Sequence, residues 1–164
     1  MSDFFDLKNK VAVITGSSRG IGKAIALRFS EFGAKVIISS RKIDSCKSVE
    51  NEILKNGGIA SSFECNISSK TACEELINYA KQKYGKLDIL VCNAASNPYY
   101  GKLAEIPDES FDKIMNNNVK SNLWLCKSSI PLLKKNKSGS ILIVSSIAGL
   151  QGVQNLGAYS ISKT

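Results

Sequence analysis

The apolar run Val11-Ala-Val-Ile-Thr15 passes directly into Gly16-Ser-Ser-Arg-Gly-Ile-Gly22, and no other stretch constrains the fold as tightly. The spacing Gly16-x3-Gly20-x-Gly22 leaves backbone N–H groups uncovered by side chains where a helix should begin, so an anionic group such as a pyrophosphate can approach closely. Strand, glycine turn and helix in that order are the context a dinucleotide fingerprint requires. A glycine-rich turn with no ligand has the same local pattern, so the motif by itself leaves both readings open. A nucleoside-triphosphate loop fits poorly: five residues rather than four separate Gly16 from Gly22, and Lys23 is followed by Ala24 rather than Ser or Thr.

The rest of the chain repeats this alternation. Runs rich in β-branched residues predict strands near 11–15, 35–40, 60–65, 87–92 and 140–145, with helices over roughly 20–32, 44–56, 70–84 and 108–135 and a last one starting near Leu156. Gly33, Gly57-Gly58 and Gly85 stand where helices should end, as left-handed caps prefer. In the longest helix Phe111, Met115, Val119, Leu123, Cys126, Ile130 and Leu133 form an apolar stripe expected to face a sheet or a partner helix. Alternating strands and helices predict an α/β fold built on a parallel sheet. At 164 residues the chain is expected to be one domain, 1–164, with no repeat, linker or low-complexity segment.

Composition removes several chemistries. There is no histidine, so Ser-His-Asp and Cys-His catalysis and His-based zinc sites are excluded, and no metal is expected. The five cysteines are an odd number without a CxxC pair, which suits a reducing compartment. The net charge of +8 comes from lysines scattered along the chain without interleaved aromatics, so a solvated surface is expected rather than a nucleic-acid interface. Met1-Ser-Asp-Phe-Phe-Asp-Leu-Lys8 carries acids where a secretory leader has a basic region, and no apolar run is long enough to span a bilayer. A cytoplasmic protein without membrane partners is the expectation.

The end of the second strand bears on which dinucleotide fits. A carboxylate there would take the adenosine ribose hydroxyls and select NAD, but the chain reads Ser39-Ser40-Arg41-Lys42. Arg41 and Arg19, two of only three arginines, could clamp a 2′-phosphate by charge-assisted bonds, which predicts NADP(H). Near the other end, Tyr159 and Lys163 are four residues apart and share one helix face. An ammonium beside a phenol favours the phenolate, which is how a tyrosine becomes a usable acid and base.

Five motifs in order now resemble the short-chain dehydrogenase/reductase family: the turn at 15–22, Asn93-Ala-Ala95, Asn118, Ser146, and Tyr159-x3-Lys163 thirteen residues later. Asn93-Ala-Ala-Ser-Asn-Pro-Tyr-Tyr-Gly101 and Val144-Ser-Ser-Ile-Ala-Gly149 look most similar to its NADP-dependent carbonyl reductase and retinal reductase branch. The resemblance implies a Rossmann-type doubly wound parallel sheet with strand order 3-2-1-4-5. It also implies hydride transfer between NADP(H) and a ketone or aldehyde and its alcohol, with Tyr159 as general acid and base, Ser146 holding the carbonyl oxygen, Lys163 holding the nicotinamide ribose, and Asn118 anchoring a water relay. Cofactor contacts are expected from Gly16, Ser18, Arg19, Gly20, Ile21, Gly22, Ser40, Arg41, Asn66, Ile67, Asn93 and Ala94, besides Tyr159 and Lys163. A 3-oxoacyl thioester reductase would carry the same groups, and a noncatalytic dinucleotide-binding remnant is the alternative of another class.

Two residues depart from the family's pattern: Asn66 stands where many members have an adenine-contacting aspartate, and Ala95 replaces a frequent glycine. Three asparagines in a row, 116–118, are poor helix formers inside an expected helix, which points to a polar task there. Family members continue past Thr164 into two further strands and a substrate-covering segment. The resemblance therefore implies an NADP-binding Rossmann domain incomplete at its C-terminus, with the fifth strand as an unpaired edge. Such a chain alone is expected to be a weak or dead catalyst that still binds the adenine half of NADP(H). The full-length form is expected to be a homodimer or homotetramer.

Overall fold

Val11, Ala12, Val13 and Ile14 are all completely buried, so the first strand, β1 (Val11–Thr15), has no solvent face. A strand buried on both sides must lie inside a sheet covered by helices front and back. The chain, described here from a computed structural model over residues 5–136 and 138–164, does this with four more strands. These are β2 (Lys35–Ser40), β3 (Ile59–Glu64), β4 (Ile89–Cys92) and β5 (Ser140–Ile143). All pair in parallel, in the order β3-β2-β1-β4-β5. The acid-bearing N-terminal residues read above against a leader lie partly outside the described residues.

The helices are α1 (Gly20–Glu31), α2 (Ile43–Lys55), α3 (Lys70–Tyr84), α4 (Asp108–Met115), α5 (Ser121–Lys135) and α6 (Gly157–Lys163). Strand alternation sorts the core into two layers. Val11, Val13, Ile37 and Leu90 pack against Leu76 and Ile77 of α3 and Leu125 and Leu133 of α5. Ala12, Ile14, Val36, Ile38 and Val91 pack on the other face against Ala26 of α1 and Val49 and Ile53 of α2. The expected doubly wound parallel sheet is the fold observed.

Three expectations need correction. The fourth strand starts at Ile89 rather than 87, because Asp88 takes the Val11 N–H with its carboxylate (2.8 Å) while Lys86 pairs with the same oxygen at 3.0 Å. The fifth stops at Ile143, since the carbonyl of Val144 is taken by the Lys163 ammonium at 2.7 Å. The single long helix is two helices joined by a π turn, Asn116–Lys120, and Pro131 lies inside the second. The wider turn shifts the inward face. Ile114, Asn117, Asn118, Ser121, Leu125, Ser129 and Leu133 point inward, whereas Val119, Leu123 and Ile130 of the predicted stripe are 41%, 50% and 39% exposed.

As expected, β5 is an edge: Ile141, Leu142 and Ile143 are 39%, 46% and 56% exposed. Gly33, Gly57 and Gly85 take the left-handed conformations expected of them, with φ of 91°, 80° and 76°. Among the described residues no helix is long and apolar enough to cross a membrane.

Candidate active site

The glycine turn is laced to its neighbours by side chains that the glycine pattern hides. Ser17 Oγ donates to the Ile14 carbonyl at 2.6 Å and accepts from the Ser39 N–H at 2.9 Å, tying the turn to the end of β2. Thr15 Oγ1 accepts from the N–H groups of Asn93 and Ala94, each at 3.1 Å. Asn93 Nδ2 donates to the carbonyls of Thr15 (2.9 Å) and Gly16 (3.1 Å).

These bonds explain two glycines in terms of the protein itself. A Cβ on Gly22 would lie 2.4 Å from the Gly16 oxygen and 2.5 Å from Asn93 Nδ2, and one on Gly16 would lie 3.0 Å from Ala94 Cα. The loop after β4 therefore demands both. At Gly20 a Cβ would meet nothing within 4 Å, and the requirement is backbone conformation, φ +56°. Helix α1 then starts with no side-chain cap and no acid in its first turn. Its leading N–H groups and its positive dipole end are free for an anion.

Around this turn, Ser18 is half-buried, Arg19 is exposed and Ile21 is 65% exposed. Ser40 Oγ folds over its own turn, donating to the Lys42 carbonyl at 3.2 Å and accepting from the Lys42 N–H at 3.3 Å. Arg41 beside it is exposed. Neither Arg19 nor Arg41 has an acidic partner among the described residues, unlike Arg28, which pairs with Glu31. An uncapped helix start, open space over Gly20 and two unpaired guanidinium groups fit a phosphorylated dinucleotide. After β3, Asn66 is exposed and closes an Asx turn, its Oδ1 accepting from the Ser68 N–H at 3.1 Å, while Ile67 is buried.

Helix α6 places Tyr159 and Lys163 on one face, the ammonium 5.9 Å from the centre of the phenol ring. Lys163 is half-buried, and burial pushes its ammonium below the ordinary lysine range. One of its three donors goes to the Val144 carbonyl, and two are left for other acceptors. Ser146, at the start of a short 3₁₀ turn (Ile147–Gly149), accepts from the Ala148 N–H at 3.2 Å. Tyr159 also borders a shallow cleft with Tyr99, Leu103, Ile106 and Leu156.

Asn118 is nearly fully buried, and protein groups use both donors and one of the two acceptor positions of its carboxamide. Its Oδ1 accepts from the Ser96 N–H at 2.8 Å, and Nδ2 donates to the Ser96 carbonyl at 3.0 Å and to Ser162 Oγ at 2.9 Å. Its main-chain carbonyl accepts from Asn122 Nδ2 at 2.8 Å. Thr15, Ser17, Ser96 and Ser162 were invisible to motif reading, because a small hydroxyl residue gives no periodic signal.

Burial pushes the Cys92 thiol up to about 12, so it is no nucleophile near neutral pH. Among the described residues, no cluster of three or more Cys, Asp or Glu side chains is arranged to hold a metal ion.

Comparison with known proteins matches residues 10–164 to the short chain dehydrogenase family. Dehydrogenase/reductase SDR family member 4 of Oryctolagus cuniculus is 40% identical over 158 residues, which are 96% of this chain and 61% of the relative. Its Homo sapiens counterpart is 37% identical over 96% of this chain and 57% of its own length. Among solved structures, a 7 alpha-hydroxysteroid dehydrogenase complexed with NADH and 7-oxo glycochenodeoxycholic acid superimposes with TM-score 0.92 at 35% identity, covering 97% of this chain and 62% of that one. A metagenomic short-chain oxidoreductase in complex with NADP gives TM-score 0.91 at 34% identity over 96% of this chain and 71% of that one. The chain thus spans about three-fifths of the length of the curated relatives it matches. It belongs to the short-chain dehydrogenase/reductase family of oxidoreductases.

Proposed function

We propose that the protein is an NADP(H)-dependent oxidoreductase that interconverts a ketone or aldehyde and its alcohol. The observation that carries this reading is the approach of the Lys163 ammonium to the Tyr159 ring on α6, in a chain whose glycine turn opens an uncapped helix. NADP(H), when bound, supplies or accepts the hydride. Its pyrophosphate would be held by the turn Gly16–Gly22 and its 2′-phosphate by Arg19 and Arg41, with Ser40, Asn66, Ile67, Asn93 and Ala94 lining the rest of its path.

Tyr159 donates its phenolic proton to the carbonyl oxygen in reduction and takes the alcohol proton in oxidation. Ser146 orients that oxygen by a hydrogen bond. Lys163, anchored on Val144, would hold the nicotinamide ribose with its remaining donors and set its positive charge beside the Tyr159 ring. Asn118, whose side chain is engaged by Ser96 and Ser162, would anchor a water relay from Lys163.

Exposed Val119 of the π turn and exposed Leu123 and Ile130 of α5 support a homodimer or homotetramer formed through that face. Reduced buried thiols support a cytoplasmic setting.

The test is oxidation of NADPH and of NADH by the full-length protein with a panel of ketones and aldehydes. Carbonyl-dependent oxidation that prefers NADPH supports the reading. Tight binding of NADPH with no turnover of any carbonyl would favour a noncatalytic dinucleotide-binding protein instead.

A further inference from the structure

Asn117 is only 6% exposed and has no task in the mechanism above. Its carboxamide spans two loops. Oδ1 accepts from Ser68 Oγ at 2.7 Å, and Nδ2 donates to Ser96 Oγ at 2.9 Å. On the same π turn, Asn116 Nδ2 donates to the Ser68 carbonyl at 3.1 Å. Ser68 belongs to the loop after β3, close to Asn66, and Ser96 to the loop after β4, close to Asn93. In the sheet β3 and β4 are separated by β2 and β1, so the ladder does not join these two loops to each other. The π turn does, because its wider winding lets successive asparagines reach neighbouring loops that one face of a regular α-helix would not serve.

We propose that Asn117 is a positioning residue for the whole dinucleotide. Through Ser68 and Ser96 it fixes the separation between the loop after β3, where Asn66 is expected to meet adenine, and the loop after β4, which adjoins the end of β5, where Val144 holds Lys163, the residue expected on the nicotinamide ribose. The proposal rests on the cofactor reading above. Its effect is preorganisation: a ligand that meets two regions held at the right spacing gains over either half alone, and loosening the spacing removes that gain without touching either set of contacts. A carboxamide suits the task because one planar group offers an acceptor to one hydroxyl and a donor to another.

The experiment compares NADPH with adenosine 2′,5′-bisphosphate, which carries only the adenine half, on the full-length protein. Asn117→Leu, close in size, removes both bonds, and Ser96→Ala removes one with little risk to folding. In both variants the dissociation constant of the bisphosphate should stay within about twofold while that of NADPH rises about tenfold for Asn117→Leu and less for Ser96→Ala. Equal weakening of both ligands, or no weakening of NADPH, overturns the proposal.

Amide hydrogen exchange of the ligand-free protein gives a second reading, independent of the cofactor. Asn117→Leu should speed exchange in residues 65–69 and 93–97 together, and acceleration confined to one loop, or none, overturns the clamp. If the wild type binds neither ligand, the cofactor reading has failed, and linked loosening of both loops would still uphold Asn117 as the tie between them.

Discussion

Asn118 donates from Nδ2 to Ser162 Oγ at 2.9 Å, and Ser162 Oγ donates onward to the carbonyl of Tyr159 at 2.8 Å. An asparagine in the π turn is thereby joined through one hydroxyl to the backbone of the residue assigned the proton transfer. The geometry of α6 is set from outside the helix.

Removing that hydroxyl tests the linkage. Ser162→Ala strips a nearly buried amide donor of its acceptor, and its cost is expected to be about 1–3 kcal/mol of folding stability by urea denaturation. A loss below a few tenths would show that Asn118 finds another partner without strain.

The glycines of the turn separate by mechanism. Gly22→Ala drives a Cβ against the Gly16 carbonyl and Asn93 Nδ2, so it should cost several kcal/mol and abolish NADPH binding. Gly20→Ala meets open space and bears only the left-handed strain, about 1 kcal/mol. Thermal denaturation and NADPH titration of the two variants side by side would decide it, and equal effects would contradict the assignment.

Cofactor choice is expected to follow charge at the end of β2. Arg41→Asp should lower the preference for NADPH over NADH by about tenfold or more, since a charge-assisted phosphate contact is lost and a carboxylate is offered to the ribose hydroxyls. An unchanged ratio of kcat/KM for the two cofactors would show that Arg41 does not read the phosphate.

How much of this was legible beforehand follows from the kind of signal each residue gives. The alternation of strands and helices could be read because Val11–Ile14 is wholly apolar and the first three helices run to glycine stops, and the strand order followed from the family resemblance. The shared helix face of Tyr159 and Lys163 could be read from their spacing, and Arg41 stood out by its charge. The division of the long helix was not: an unbroken apolar period hides one extra residue in a turn, and only the run Asn116–Asn118 marked the place. Part of the reason for Gly16 and Gly22 was also out of reach, since besides the left-handed φ of Gly16 and its carbonyl against Gly22 it lies in a loop more than seventy residues away in sequence, at Asn93 and Ala94.

Lys163 makes a prediction about pH. Burial lowers its pKa in the folded state, so the unfolded chain binds that proton more tightly and the ammonium opposes folding at neutral pH. The penalty lifts as pH rises from the lowered folded value toward about 10.4, the ordinary lysine value. Relative to Lys163→Met, the wild type should therefore gain stability between roughly neutral pH and that value, by urea denaturation at each pH. A relative loss over that range would contradict the burial argument.

The central claim is that Tyr159 transfers the proton while a bound nicotinamide dinucleotide transfers the hydride. It is tested most directly by Tyr159→Phe in the full-length protein, measuring NADPH affinity and carbonyl-dependent NADPH oxidation on the same preparation. The account predicts an affinity within about twofold of wild type and a rate lower by about a hundredfold or more. A phenylalanine variant that still reduces the carbonyl at the wild-type rate would contradict it.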